Sequence, residues 1–284
     1  MINRYSVRAK SDELNIDFKN LLSAIVCESI IEFISNGKYC NELFLCNGEI
    51  FQKKTYSAGC INELYYEYAK NLDDKMAVLY MRDVLKDIIS QAASEAFAVE
   101  GKVIEGQINL KVTVDDMYVP ITLYMKSHRQ TAGNEMVEME MLMHKNRKIK
   151  YLANSKEEEL SQHLIEIIEK LELINDMDNY YYCYEILTTY PVNGRKINDR
   201  LKELMTEHNI IVDNTRVEML RSYENYAYMK KKWKVELRQK KKSEPQWSDV
   251  NKCLMNFLTP IWNAMENNII FLGDWMPQLR RFLD

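Results

Sequence analysis

The side chains able to do chemistry are thinly spread in this chain. Six cysteines (Cys27, Cys40, Cys46, Cys60, Cys183, Cys253) stand singly without a CxxC pair, and there are only four histidines, so the donors of a zinc cage are not in place. His128 and His163 have no partner at metal or acid-base spacing, and Ser57 and Ser127 have no adjacent His and acid to activate them. Two clusters hold more. Lys230, Lys231 and Lys232 with Lys240, Lys241 and Lys242 flank Trp233 in KKKWKVELRQKKK. Such charge density suits phosphates and is equally usual on a solvated helix face. Tyr180, Tyr181, Tyr182, Cys183 and Tyr184 form a run whose aromatic faces could stack on bases, at about 1–3 kcal/mol per base. On a helix that run points to every side, so most of it is expected to pack inside.

The stretch Leu43 to Asn62, LFLCNGEIFQKKTYSAGCIN, has a different interest. It reads as a short strand, a tight turn at Asn47-Gly48, a short helix and a second strand across residues 59–62. Asn-Gly accepts positive φ cheaply, which is why the turn is placed there. The second strand, read as Gly59-Cys60-Ile61 or shifted by one to Cys60-Ile61-Asn62, carries no acid. Hard divalent cations need carboxylate oxygens, so this strand offers them nothing. Glu63, just outside both registers, is the nearest carboxylate.

Several elements must position these residues. Asp17 caps an amphipathic helix over residues 18–36, with Gly37 as its stop. Residues 71–97 have helical periodicity. Gln107 to Val114 and Tyr118 to Met125 alternate about Asp115-Asp116 as a hairpin, and Val137 to Met143 alternates as well. Beyond about residue 152 the period is helical throughout: a helix begins after Ser155 with acids in its first turn, and others span residues 179–189, 196–208, 215–241 and 248–267. The apolar terminal segment IIFLGDWMPQLRRFLD is expected to dock on the body. The fold class is α+β, with a mixed domain over residues 1–153 and an all-helical one over 154–284.

Bulk properties agree with a globular protein of one large or two ordinary domains: 284 residues, 46% of them apolar. The net charge of -4 gives no overall pull toward nucleic acid and leaves room for a local basic patch. No uncharged run approaches the roughly 18 residues of a membrane span, and the single cysteines suit a reducing compartment. A cytoplasmic location without a membrane partner is expected.

The order of these motifs resembles the AbiEii-type nucleotidyltransferases, toxin halves of bacterial type IV toxin-antitoxin and phage-abortive systems. The opening helix, LFLCNG, KTYSAGCIN, IEGQINLKVTVDDMYVPITLYM, IIEKLE and NYYYCYEIL follow one another as in that family, and GRKINDRLKELMTEHNIIV, MKKKWKVELRQKKK and PQWSDVNKCLMNFLTPI look like its C-terminal region. The likeness covers roughly residues 10–265. It implies a polymerase-β-type mixed sheet with helices, followed by the helical region. The family transfers a nucleotidyl group from a nucleoside triphosphate to RNA, using two metal ions on an Asp pair and a third Asp, beside a glycine turn that admits the triphosphate.

Carried onto this chain, the glycine turn is Asn47-Gly48, the acid pair falls on Cys60 and Asn62, and the third acid falls on Tyr124. None of these last three is an acid. Lys170, in Glu169-Lys170-Leu171-Glu172, matches a lysine that reaches the triphosphate, although another register puts Leu164 there and pairing with Glu166 on a solvated face is the commoner fate. The basic loop that should follow is replaced by INDMDN, and the Asp after it by Tyr180. The resemblance therefore implies a chain without catalytic or metal residues and without a required cofactor, acting by binding an antitoxin, another protein or RNA. The alternative is an active transferase using magnesium and a triphosphate at a relocated site drawn from Glu49, Glu63 or Glu105. A large exposed patch including Trp262, Phe271 and Trp275 would point to a protein partner.

Overall fold

Fourteen consecutive residues of one helix, Leu21 to Ile34, are buried, and that helix organises the first half of the molecule. The chain is described by a computed structural model that covers all residues except Met1, 94–96, 128–132, 145–146, 176 and 284, so His128 lies outside the described residues. The described chain divides into two compact units, residues 1–130 with 134–154, and residues 131–133 with 155–284.

Unit 1 begins with α1 (Arg4–Leu14) and the buried α2 (Phe18–Asn36). The Asp17 carboxylate accepts from the Lys19 and Asn20 amides at the start of α2. The helix is buried on all sides, so the expectation of an amphipathic helix is corrected: α1, α4 and the sheet enclose it. Next come β1 (Leu43–Leu45), α3 (Glu49–Gln52), β2 (Glu63–Tyr68), α4 (Asp74–Ala92), β3 (Ala98–Ile104), β4 (Gln107–Val114), β5 (Met117–Ser127), β6 (Asn134–Glu140) and β7 (Lys148–Asn154). The strands form one sheet in the order β3-β4-β5-β2-β1-β7-β6. It is mixed: β2 runs parallel to β5 and β1 parallel to β7, the other neighbours antiparallel. The turn between β4 and β5 is the expected one, with Asp115 at φ 57°.

Unit 2 contains α5 (Lys156–Lys170), α6 (Asp178–Thr189), β8 (Val192–Asn193), α7 (Gly194–Glu207), α8 (Asn214–Ser222), α9 (Ala227–Gln239), α10 (Trp247–Glu266), β9 (Asp274–Met276) and β10 (Arg281–Leu283). It is not all-helical, because β9 and β10 join β8 in a small sheet. That sheet docks the terminal segment as expected: Trp275 is fully buried and its indole N–H donates to the Leu187 carbonyl at 2.7 Å.

The single helix expected over 215–241 is two. Asn251 donates to the Leu220 carbonyl at 3.0 Å and Trp247 to the Tyr223 carbonyl at 2.7 Å, so side chains of α10 occupy acceptors that a continuous helix would bond to its own amides. No helix of the described residues is long and apolar enough to cross a membrane.

Candidate functional site

The second strand of the Leu43 stretch does not lie across residues 59–62. The Ile61 carbonyl accepts from the Ser23 hydroxyl and the Cys27 thiol of α2, Asn62 Oδ1 accepts from Ser23 at 2.6 Å, and Cys60 Sγ donates to Asn20 Oδ1. These side chains hold Cys60 to Asn62 as an extended lead-in, and β2 itself runs ELYYEY from Glu63. The strand therefore carries acids after all. Leu64, Tyr66 and Tyr68 point into the core, while Glu63, Tyr65 and Glu67 share the opposite face. The expected acid positions Cys60 and Asn62 precede this strand, and the residues at alternate positions of its open face are Glu63 and Tyr65.

On the neighbouring strand, Tyr124 pairs in register with Tyr65 and Thr122 with Glu63. The two tyrosine rings stack with centroids 4.9 Å apart and planes 10° from parallel. Both phenols reach one carboxylate: Tyr65 donates to Glu63 Oε2 at 2.5 Å and Tyr124 to Oε1 at 3.5 Å. The hydrogen bond to Glu63 pushes the Tyr65 phenol up to about 12. Tyr65 thus stays protonated at neutral pH and remains a donor. Glu67 is engaged elsewhere, accepting from Asn154 at 3.0 Å.

Asn47 has a structural task. By continuation of the β1–β2 register it stands opposite Leu64, and its side chain spans that position like a strand backbone. Asn47 Nδ2 donates to the Glu63 carbonyl at 3.0 Å, and Oδ1 accepts from the Tyr65 amide at 3.1 Å. Gly48 is in helical conformation at φ -64°, so the expected positive φ is not used. A glycine is needed there for another reason: a Cβ would come within 2.5 Å of the Tyr151 hydroxyl. Beside this turn lies a cleft of about 370 Å³ lined by Asn47, Ile50, Cys60, Ile61, Asn62, Glu63 and Tyr65.

Magnesium ions for phosphoryl chemistry need several carboxylate oxygens close together. Glu63 is the one carboxylate lining the cleft among the described residues, and no three His, Cys, Asp or Glu side chains among them converge on a common point. Glu67 is about 13 Å further along β2. The residues present do not fit a two-metal centre. Replacing Tyr65 and Tyr124 together by Asp should change that, because both flank Glu63 on adjacent strands about 5 Å apart. The double variant is expected to gain saturable manganese binding in calorimetry that the wild type lacks.

In unit 2 the lysines divide by role. Lys170 forms an ion pair with Glu166 on an exposed turn of α5, and Leu164 is core. Lys232 donates to the Glu172 and Ile174 carbonyls, closing the chain after α5. Lys240 pairs with Asp178 and Glu236 and lies 4.7 Å from the Tyr181 ring centroid. Lys242 hydrogen-bonds the Tyr181 hydroxyl, Lys230 reaches Asn225 at 3.4 Å, and Lys231 and Lys241 are exposed. Tyr180 is fully buried edge-on to Trp247, so the tyrosine run is mainly packing. Trp262 and Trp275 are buried and Phe271 partly so, while the neighbouring Ile269, Ile270 and Leu272 are exposed, so the two tryptophans are not part of an apolar surface.

Two of these site residues carry no motif. Tyr65 was legible only through the period-2 pattern of ELYYEY, and Glu63 through its place at the head of that pattern.

No family model matches the chain, and no curated protein matches it. Among solved structures it is similar to JHP933 from Helicobacter pylori, at 8% identity and a TM-score of 0.47, covering 89% of this chain and 96% of that one. A second H. pylori structure, described provisionally as a nucleotidyltransferase, has 11% identity and a TM-score of 0.41, covering 89% and 99%. At these values neither neighbour says what this chain does.

Proposed function

We propose that this chain is a nucleotidyltransferase-like protein of the AbiEii type that has exchanged its metal centre for a tyrosine-capped carboxylate, and that it acts by binding within a bacterial toxin-antitoxin or phage-defence system. One observation carries the reading. Directly after Cys60 and Asn62, where the resemblance puts the acid pair, and beside Tyr124, where it puts the third acid, Glu63 is the one carboxylate lining the cleft among the described residues, and its two oxygens accept from Tyr65 and Tyr124. Absence of two metal-binding carboxylates would remove several kcal/mol of transition-state stabilisation, and each 1.4 kcal/mol is about tenfold in rate. The motif order of the whole chain supports the family. A cognate antitoxin, another protein or RNA are the partners this reading proposes, with no cofactor.

The alternative, a transferase with a relocated site, has one point in its favour: Glu63 lies on the second strand. Its other candidates do not join it in the cleft. Glu49 pairs with Lys53 at 2.8 Å, and Glu105 occupies the β3–β4 turn at φ 48°.

The deciding experiment incubates purified protein with radiolabelled nucleoside triphosphates, magnesium or manganese, and total tRNA. No label should enter RNA or protein. Transfer that is abolished by Glu63→Ala or by Lys170→Ala would overturn the binding-only reading.

A further inference from the structure

Helix α9 carries Lys230, Lys234 and Arg238 at four-residue spacing, which places three cations on one face at intervals of about 6 Å along the axis. That face forms one wall of a groove of about 580 Å³, and Lys242 extends the cationic row past the end of the helix. No carboxylate lines the groove among the described residues. The two faces of α9 are treated oppositely. Away from the groove, Lys240 is ion-paired with Asp178 and Glu236 and Lys232 donates to two carbonyls; of the groove cations, Lys230 reaches Asn225 and Lys242 the Tyr181 hydroxyl, and none of the four forms an ion pair among the described residues.

The facing wall is the start of α10, a helix of 20 residues whose N-cap, Gln246, makes no side-chain capping bond. Gln246 and Ser248 line the groove there, and Ser243 lines it beside Lys242. The Gln246 side-chain amide is taken up by the Ser243 carbonyl and Glu244 Oε1, so it is the Ser243 and Ser248 hydroxyls and the backbone amides of the helix start that add to the attraction the cations exert on an anion. The floor contains Trp233 and Trp247, both buried, and their indole N–H groups are occupied by the carbonyls of Pro245 and Tyr223. Their rings are not presented for stacking, so the groove offers charge and donors without a platform for bases.

We propose that this groove binds a ligand carrying two or more linked phosphate groups, a site independent of the reading given for the Glu63 cleft. The long Lys and Arg side chains, rooted about 6 Å apart on α9, can converge on neighbouring phosphates, and a volume of this order suits a nucleotide-sized polyanion. Recognition is of the phosphates and is indifferent to what they are attached to.

Calorimetric titration of the full chain with inorganic tripolyphosphate tests it. Saturable binding is expected, weakening as salt rises from about 50 to 200 mM. Lys234→Ala and Arg238→Ala should each weaken binding about tenfold, the change corresponding to one charge-assisted hydrogen bond. Lys231→Ala, on α9 but outside the groove, should leave affinity unchanged. Unaltered unfolding midpoints by tryptophan fluorescence will show that the variants are folded. Absence of binding, or equal losses in Lys231→Ala and Arg238→Ala, would overturn the proposal. A competing single-stranded oligonucleotide identifies the source: displacement of tripolyphosphate assigns the groove to a nucleic-acid backbone, and failure to displace assigns it to free polyphosphates.

Discussion

Unit 2 of an Arg200→Ala variant is expected to be about 3–5 kcal/mol less stable than the wild type, the usual penalty for stripping one partner from a buried ion pair. Arg200 lies on α7 and Glu158 in the first turn of α5, and both side chains are 2% exposed. Arg200 Nε donates to Glu158 Oε1 at 2.9 Å, and Nη1 donates to Glu203 at 3.3 Å. Glu158 also accepts from Gln162 at 2.9 Å, and its own amide is capped by Ser155. Removing the guanidinium leaves a carboxylate buried between two helices with its countercharge gone. The pair itself need not be stabilising. A double replacement, Arg200→Met with Glu158→Leu, should recover most of the loss, since apolar substitutes of similar volume often equal or exceed a buried pair. All four tryptophans lie in unit 2, so urea denaturation followed by their fluorescence reads this unit alone. A loss below about 1 kcal/mol in Arg200→Ala would contradict the burial argument.

The second large effect is a pH dependence of unit 1. Glu28 is in the buried helix α2, where it accepts from the Tyr56 hydroxyl and the Leu142 amide, each at 2.8 Å. Burial outweighs these bonds and raises its carboxyl from 4.5 to about 7. In the unfolded chain the group returns to its ordinary range, so between those values the folded state binds more protons than the unfolded one. The associated stability is fully present below pH 4.5 and is lost as pH rises through about 7. The whole change is about 3 kcal/mol at 1.36 kcal/mol per unit. Hydrogen exchange of unit 1 peptides, corrected for the intrinsic rate, should show protection declining over this interval. Glu28→Gln should flatten the decline, and an unchanged slope in that variant would assign the effect to other groups.

Much of the architecture was legible because it rests on local signals. Asp17 and Ser155 cap helices where the sequence places them, and the Asp115-Asp116 hairpin has its turn in the left-handed conformation that such residues tolerate. What escaped depends on distant partners. The start of β2 is displaced because Ser23 and Cys27, more than thirty residues away, hold the Ile61 carbonyl. The break between α8 and α9 is written in Asn251 and Trp247, and no glycine or proline marks it. Helix α1 buries only Val7 and Ser11, so it has no apolar stripe to read, and its Asn3–Ser6 capping box is the one local sign. Strand β3 and the small sheet of unit 2 are likewise products of pairing and not of pattern.

The candidate site was legible in part. Tyr124, where the resemblance puts the third acid, pairs with Tyr65 of β2, and Asn47 and Gly48 lie beside the cleft. A strand over residues 59–62 stops short of Tyr65, and only the start of β2 at Glu63 puts Glu63 and Tyr65 on one face. In unit 2, counting adjacent lysines favoured Lys232 and Lys240, which are occupied, over Lys234 and Arg238, which share a helical face.

The Asn47 bridge between β1 and β2 has a chemical consequence of its own. An asparagine followed by glycine is the sequence most prone to ageing, because the glycine amide nitrogen attacks the side-chain carbonyl, expels ammonia and leaves a cyclic imide that opens to aspartate or isoaspartate. Here the carboxamide is tethered at both ends to the backbone of Glu63 and Tyr65, and Gly48 is fixed in a helical turn against Tyr151. The attack geometry is reached only when the two strands part. Isoaspartate at position 47, read by peptide mass spectrometry, is therefore expected to accumulate with the time this unit spends open.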